Sequence, residues 1–361
     1  MTESRSPLAD AEFAWFAALC DDDYEFLGVP DPKLRASWEH CASIVETAEA
    51  QGFDNVLLPS GYALGIDSVA FAGGIAPRLR ALQLLVAVRG GELWPPQLAR
   101  QLATLDQMLD GRVTVNIISS DLPGESLDSA LRYRRTLEVM QILRTLLDGE
   151  SLEHHGEFYD LTLEPPAVRT VTGRCPPLYF GGLSEPARDV AAAAADVYLM
   201  WPDTIDTVAA TIDDLQTRAG GHGRTLRFGY RVHVIVRETE AAARAAAEHL
   251  VSRLDPGTGD AIRTQSLDSA SAGVRRQAEL RTDAHADGFV EPNLWTGIGR
   301  ARSGCGAAIV GDPDQVRAKL SDYRALGIDT FILSGYPHRA EAERFGRLVL
   351  ADVRRDPVSA A

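Results

Sequence analysis

Arg231 and His233 stand two residues apart in the run RFGYRVHVIVRET (227–239), which otherwise reads as a buried β-strand. Alternation along a strand puts both side chains on one face. A guanidinium and an imidazole aimed together into an interior are costly unless they meet an anion, so the pair predicts an anionic ligand or reaction intermediate. A second run, GIDTFILSGYPH (327–338), ends an apolar strand in Gly335, Tyr336 and His338. Polar chemistry thus gathers twice at the C-terminal end of a strand.

The elements that must position these residues follow from the hydrophobic period. Short β-rich runs at 13–18, 54–59, 82–88, 112–118, 177–181, 196–200, 226–236 and 328–334 are each followed by a helical pattern, at about 34–51, 67–77, 95–109, 127–149, 184–195, 204–219, 238–253 and 338–353. Eight βα units in one chain predict an α/β fold of the TIM (β/α)8 barrel type, one domain spanning 1–361. Two segments break the rhythm, 151–176 and the longer 254–311. Both read as insertions over the barrel mouth, the second partly helical over 265–281, then loop-like through Pro292 and Gly306, and a candidate mobile lid. In such barrels chemistry sits where strands end, which picks out Cys20, Ser60, Arg89, Asn116, Ser119, Ser120, Trp201, Arg231, His233 and Tyr336.

Composition narrows the function classes. A 361-residue chain with 45% hydrophobic residues can bury a large core, and its net charge of −15, spread along the chain, argues against nucleic acid or an anionic membrane as partner. Lysine occurs twice, at Lys33 and Lys319, against 34 arginines, so oxyanion binding must rely on Arg and His. Cys20, Cys41, Cys175 and Cys305 are far apart with no metal-ligand spacing, and the N-terminus has no apolar signal core. The expectation is a cytoplasmic protein with reduced thiols, no structural metal and no membrane span.

The runs PLYFGGLSEPARDVAAAAADVYLM (177–200) with Trp201, RFGYRVHVIVRET, PNLWTGIG (292–299), GAAIVGDP (306–313) and GIDTFILSGYPH resemble, in order and over roughly residues 13 to 350, the bacterial luciferase-like flavin monooxygenases, nearest to the FMNH2-dependent alkanesulfonate monooxygenase. The resemblance implies a TIM barrel that takes FMN, as FMNH2, from a separate NAD(P)H-dependent flavin reductase, uses O2 as co-substrate, and cleaves the C–S bond of a small anionic organosulfonate to an aldehyde and sulfite. It implies a homo-oligomer, dimer or tetramer. Catalytic roles carry over to Arg231, His233, Arg302, Tyr336, His338 and Trp201. Flavin contacts carry over to Tyr133 at the start of the fourth helix and to Gly181, Gly182 and Ser184 as a phosphate cradle, with Asn116 and Ser119 toward the ribityl chain. The chain departs from the family at the pocket wall, where it has Cys20 after the first strand, Ser60-Gly-Tyr62 after the second, and Arg89-Gly-Gly-Glu92-Leu-Trp94 after the third. Cys20, Tyr62, Arg89, Glu92 and Trp94 are therefore read as substrate-pocket residues. Of these, Tyr62, Glu92 and Trp94, together with Asp121, hint at a polar, hydroxylated substrate.

Each site has a plainer reading. A lone Arg and His on a strand pair with a core carboxylate and a backbone carbonyl. A Gly-Gly turn before a Ser N-cap is also an ordinary strand-to-helix junction, and Tyr133 also reads as a packed aromatic. Adjacent His154 and His155 point to opposite faces of a strand, so a surface hairpin explains them better than a metal site. Acidic neighbours at Asp21, Asp22 and Asp23 would raise the pKa of Cys20, which makes it a pocket-lining group rather than a nucleophile. The residues also leave open oxygenation of a non-sulfonate substrate, a deazaflavin-dependent hydride transfer on the same barrel, and flavin binding without turnover.

Overall fold

The computed structural model describes residues 6–61, 65–264, 271–302 and 304–354. Strands β1 (Glu12–Phe16), β2 (Asn55–Leu58), β3 (Gln83–Arg89) and β4 (Val113–Ile118) pair in parallel, each to the next. A hairpin of β5 (Leu152–His155) and β6 (Asp160–Leu163) interrupts them. The barrel resumes with β7 (Leu178–Phe180), β8 (Val197–Met200) and β9 (Arg227–Val236). After three further short strands, β10 (Phe289–Glu291), β11 (Leu294–Trp295) and β12 (Ala308–Gly311), strand β13 (Ile328–Ser334) lies between β9 and β1 and closes an eight-stranded parallel barrel. The expected architecture is present.

Helices α1 (Trp38–Ala50), α2 (Ser68–Ile75), α3 (Pro95–Met108), α4 (Ser129–Leu147), α5 (Glu185–Ala194), α6 (Ile205–Gly221) and α7 (Glu240–Val251) each follow a barrel strand. Their starts are written locally: Ser37, Asp67, Asp128 and Thr239 accept the first-turn amides of α1, α2, α4 and α7. Strands covered by helices outside and packed inside read as continuous apolar runs, which is why the period marked them. Side chains of alternate parity fill the lumen: Ala14, Phe16, Leu57, Leu85, Ala87, Tyr179, Val197 and Ile332 form a cluster separate from the helix-covered shell. At its floor Asn55 Nδ2 donates to Glu12 Oε1 at 2.9 Å and to Thr114 Oγ1 at 3.3 Å, and Thr330 Oγ1 donates to Glu12 Oε2 at 3.3 Å. Burial raises the Glu12 carboxyl above the usual carboxylate range. The same parity, followed upward, brings Arg89, Asn116, Arg231, His233 and Ser334 to the C-terminal mouth.

The segment 254–311 is more structured than the sequence implies. It contains α8 (Pro256–Thr264) and α9 (Ala272–Asp283) and ends in β10, β11 and β12, which pair antiparallel to one another and then in parallel onto the upper half of β9. Helix α10 (Pro313–Ala325), absent from the sequence reading, follows β12 behind a capping box of Asp312 and Gln315. Helix α11 (His338–Phe345) comes after β13. Arg276 makes a bidentate pair with Asp203 at 2.7 and 2.8 Å, Gln277 Nε2 donates to the Pro202 carbonyl at 2.7 Å, and the buried Lys319 pairs with Glu291. A lid motion of the whole segment would have to break these bonds. The other insertion, 151–176, carries the hairpin, where His154 meets Glu138 at 3.1 Å and His155 meets Asp160 at 2.6 Å on opposite faces.

Phe345 of α11 is fully buried against Phe13, Trp15 and Phe53, with ring centroids 5.9–6.4 Å away. Phe345→Ala is expected to cost about 3–5 kcal/mol. The cost should appear as a lower urea midpoint with an unchanged far-UV circular dichroism spectrum of the native state.

Candidate active site

Strand β9 changes partners at the site. Up to Tyr230 it pairs with β8, and from His233 it pairs with β12. Arg231 sits at the handover, where Cys305 Sγ donates to its carbonyl at 3.4 Å. Its side chain is buried and lies over the Phe16 ring, Cζ 4.3 Å from the centroid. Nη1 donates to the Val232 carbonyl at 3.2 Å, and Nη2 has no partner. His233 is fully buried, its Nδ1 2.7 Å from Ser334 Oγ, its ring stacked 5.1 Å from that of Tyr336, and its Nε2 without a partner.

The turn after β13 delivers Tyr336 and His338. The His338 amide donates to Asp23 Oδ1 at 2.9 Å, Nδ1 lies 3.1 Å from the Phe16 carbonyl, and Nε2 is again without a partner. Arg302 arrives from the insertion. It donates to the Tyr336 hydroxyl oxygen at 2.7 Å, pairs with Asp22 Oδ2, and lies 5.4 Å from the Phe16 centroid. Because a guanidinium only donates, the Tyr336 hydroxyl keeps its own proton available to the pocket.

Charge states follow from burial and neighbours. Burial first, then the Arg231 and Arg302 charges, push His233 well below the histidine range. Burial likewise lowers His338. Burial opposes ionisation of Asp22, yet Arg302 above all outweighs it, and the carboxyl titrates below its ordinary value. Burial, with Asp22 added, raises the Tyr336 phenol and pushes the Cys20 thiol up to about 12. The site is therefore two guanidinium cations, one carboxylate, two neutral imidazoles and a neutral phenol. Phe16, Asp22 and Ser334 were not among the residues expected from sequence. The three consecutive aspartates directly after β1 were the available signal.

The phosphate-cradle residues form a second group. A Cβ on Gly181 would lie 2.1 Å from the Leu199 carbonyl, and one on Gly182, whose φ is +151°, would lie 2.7 Å from Ala187 Cβ and 3.5 Å from the Tyr133 hydroxyl. Ser184 begins α5 without capping it, and its Oγ, like Ser119 Oγ, is sealed from solvent without a partner. Both glycines are therefore required by packing against the protein itself, and it is the orphan hydroxyls, that of Ser184 at the N-terminus of α5, that fit a phosphate. Asn116 points into the lumen from β4, in register with Tyr179. Trp201 follows β8 and lies against the insertion: a Cβ on Gly273 or Gly304 would come within 2.9 or 3.1 Å of its ring.

The loops after β2 and β3 differ from expectation. Arg89 is buried but braces the rim, donating to Ser120 Oγ at 2.9 Å and to the Ser60 carbonyl at 2.7 Å. Glu92 shares a cleft with Arg89 and Ser60, yet is itself exposed. Trp94 faces outward: it is 57% exposed, starts α3 ahead of Pro95 and Pro96, and meets Tyr159 edge-on at 5.7 Å, so it does not wall the pocket. Tyr62 lies outside the described residues. Among the described residues no cluster of His, Cys, Asp or Glu could hold a metal ion, and no helix is long and apolar enough to cross a membrane.

Residues 16–330 match the family model of luciferase-like monooxygenases. A sulfoquinovose monooxygenase of Novosphingobium aromaticivorans is 62% identical over 357 residues, covering 97% of this chain and 99% of that protein. One of Agrobacterium fabrum is 52% identical over 347 residues, covering 95% and 90%. Among solved structures, riboflavin lyase with modified FMN and riboflavin superposes with a TM-score of 0.77 at 16% identity, over 96% of this chain and 91% of that one.

Two buried neutral histidines make the fold acid-sensitive. Their folded pKa values lie below the unfolded value of about 6.5, so the unfolded chain binds more protons as pH falls below it. Stability is then lost downward from about pH 6.5, by up to about 1.4 kcal/mol per pH unit for each histidine. Urea midpoints measured from pH 7.5 to 5 should show this decline, and His233→Gln should roughly halve its slope.

Proposed function

The chain belongs to the luciferase-like monooxygenase family, and from that premise we propose that it is the oxygenase of a two-component system that cleaves the C–S bond of a sugar sulfonate of the sulfoquinovose type. The observation that carries this reading is the set of buried donors at the mouth: the unpartnered Arg231 Nη2 and His233 Nε2, with the Tyr336 hydroxyl and Arg302 alongside. A tetrahedral sulfonate presents three oxygens at once and satisfies such a set after desolvation. Its sugar hydroxyls suit a rim rich in Ser, Asp and Arg, and both near-full-length relatives carry the sulfoquinovose name.

Gly181, Gly182, Ser184, Ser119 and Tyr133 would hold the phosphate of FMN, and Asn116 the ribityl chain. Bound as FMNH2, delivered by a separate NAD(P)H-dependent reductase, the flavin supplies two electrons for the reduction of O2. One oxygen atom ends in the aldehyde and the other in water, with sulfur leaving as sulfite. Arg231 and Arg302 hold the sulfonate oxygens and carry the charge that builds on the departing sulfite. Tyr336 keeps its proton and donates a hydrogen bond toward the reacting oxygen. Neutral His233, oriented by Ser334, can take up or release a proton at Nε2. The burial of Arg231, His233, Ser334 and Tyr336 excludes water.

The test is sulfite release from sulfoquinovose, a hydroxylated short sulfonate and a long alkanesulfonate, with FMN, NADH, O2 and a flavin reductase. Sulfoquinovose should give the largest kcat/KM. Arg231→Ala should lower it at least about thirtyfold, as expected for removing one partner of a buried charged contact. Ser184→Ala should weaken reduced-FMN binding by about tenfold with little change in substrate preference. Absence of sulfite from every substrate, while reduced FMN still binds, would overturn the reading.

A further inference from the structure

Asp22 is an anion set inside an anion-binding site. Its Oδ2 pairs with Arg302, while Oδ1 is sealed from solvent with no hydrogen-bond donor. Arg302 bridges it to Tyr336, and Arg302, Arg231 and His338 all pack on the one Phe16 ring. The neighbouring Asp23 is already engaged, with Oδ2 on His40 Nε2 at 2.8 Å and Oδ1 on the amides of Tyr24 and His338. Around Phe16 the two guanidinium groups and the Asp22 carboxylate leave one positive charge.

We infer that Asp22 determines which anions the site accepts, admitting a monoanionic sulfonate and rejecting the dianionic phosphate ester of the same sugar. This rests on the sulfonate reading above. Sulfonate and phosphate ester both present three terminal oxygens on a tetrahedral centre and differ in shape only by the bridging ester oxygen, so the contacts to the terminal oxygens alone separate them poorly. Charge separates them well: a sulfonate neutralises the cluster, whereas the second charge of a phosphate meets no cation and faces the donor-free Oδ1 of Asp22. Asp22 thus does for charge what a steric wall does for size.

The discrimination must follow the ionisation of the ligand. A phosphate monoester passes from monoanion to dianion near about pH 6. The groups facing Asp22 are Cys20 and Tyr24 from its own loop, Cys41 from α1, Arg231 from β9, Arg302 from the insertion, and Tyr336 and His338 after β13. The thiols and phenols are raised, His338 is lowered and the arginines stay charged, so none of them titrates between about pH 6.5 and 8.

The experiment is calorimetric binding of sulfoquinovose and of glucose 6-phosphate to the full chain, with excess FMN to fill the phosphate cradle. It is run from about pH 5.5 to 8, for wild type, Asp22→Asn and Asp22→Glu. In the wild type the affinity for glucose 6-phosphate should fall on the order of tenfold across this range while that for sulfoquinovose holds. In Asp22→Asn the fall should vanish, and the preference for phosphate over sulfonate at pH 8 should rise on the order of tenfold. Asp22→Glu should keep the wild-type profile. A wild-type chain that binds sulfoquinovose but shows no loss of glucose 6-phosphate with rising pH overturns the inference and leaves the sulfonate reading standing, even if Asp22→Asn does not fold. Identical profiles for wild type and Asp22→Asn do the same. A wild-type chain that binds no sulfonate at all removes both.

Discussion

Two guanidinium groups pack against one phenyl ring. Arg231 and Arg302 both lie over Phe16, and a pair of like charges so far from bulk water is unfavourable unless each is answered. The ring's negative face answers part of it. Asp22 answers Arg302 directly, and Tyr336 takes a hydrogen bond from the same group. Arg231 is left with a free Nη2, flanked by two imidazoles kept neutral by burial and by these same cations. Neutral histidines, an ionised aspartate and a protonated tyrosine all follow from this one arrangement of positive charge over an aromatic floor.

The barrel supplies that arrangement by letting β9 outgrow its neighbour. Below Tyr230 the strand belongs to an ordinary eight-stranded cylinder, and above His233 its edge is taken over by β12. At the step from β8 to β12 the backbone of Arg231 is met by Cys305 of the insertion, which also delivers Arg302, while the Arg231 side chain points into the lumen over Phe16. The insertion is therefore part of the wall, tied to it through Arg276, Gln277 and Lys319.

Much of this was legible in the sequence because β9 and β13 are long and end in polar residues of unusual type. Alternation alone aimed Arg231 and His233 into the lumen, and the eight-fold βα rhythm gave the cylinder. Residues whose role depends on a distant partner escaped. Asp22 sits in an acidic run that reads equally well as a solvated loop, and only the approach of Arg302, 280 positions later, makes it part of the site. Phe16 reads as one more core aromatic until two cations are placed on it. Trp94 was drawn toward the pocket by its position after β3, but the two prolines that begin α3 set the chain direction and turn the indole outward. Strand β12 was hidden by its four-residue length, and helix α10 by the irregular sequence before it, although the Asp312 and Gln315 capping pair marked the helix start.

The near-absence of lysine has a practical corollary. Of the two in the chain, Lys319 is buried in its pair with Glu291, whereas Lys33 is exposed on the β1–α1 loop that carries Asp22. Amine-reactive dyes or tethers aimed at lysine would therefore settle on that loop, while every cation of the site, being arginine, stays inert to the reagent. A fluorophore attached there would sit on the same stretch of backbone as the Asp22 carboxylate, which makes this loop the natural handle for watching ligands arrive.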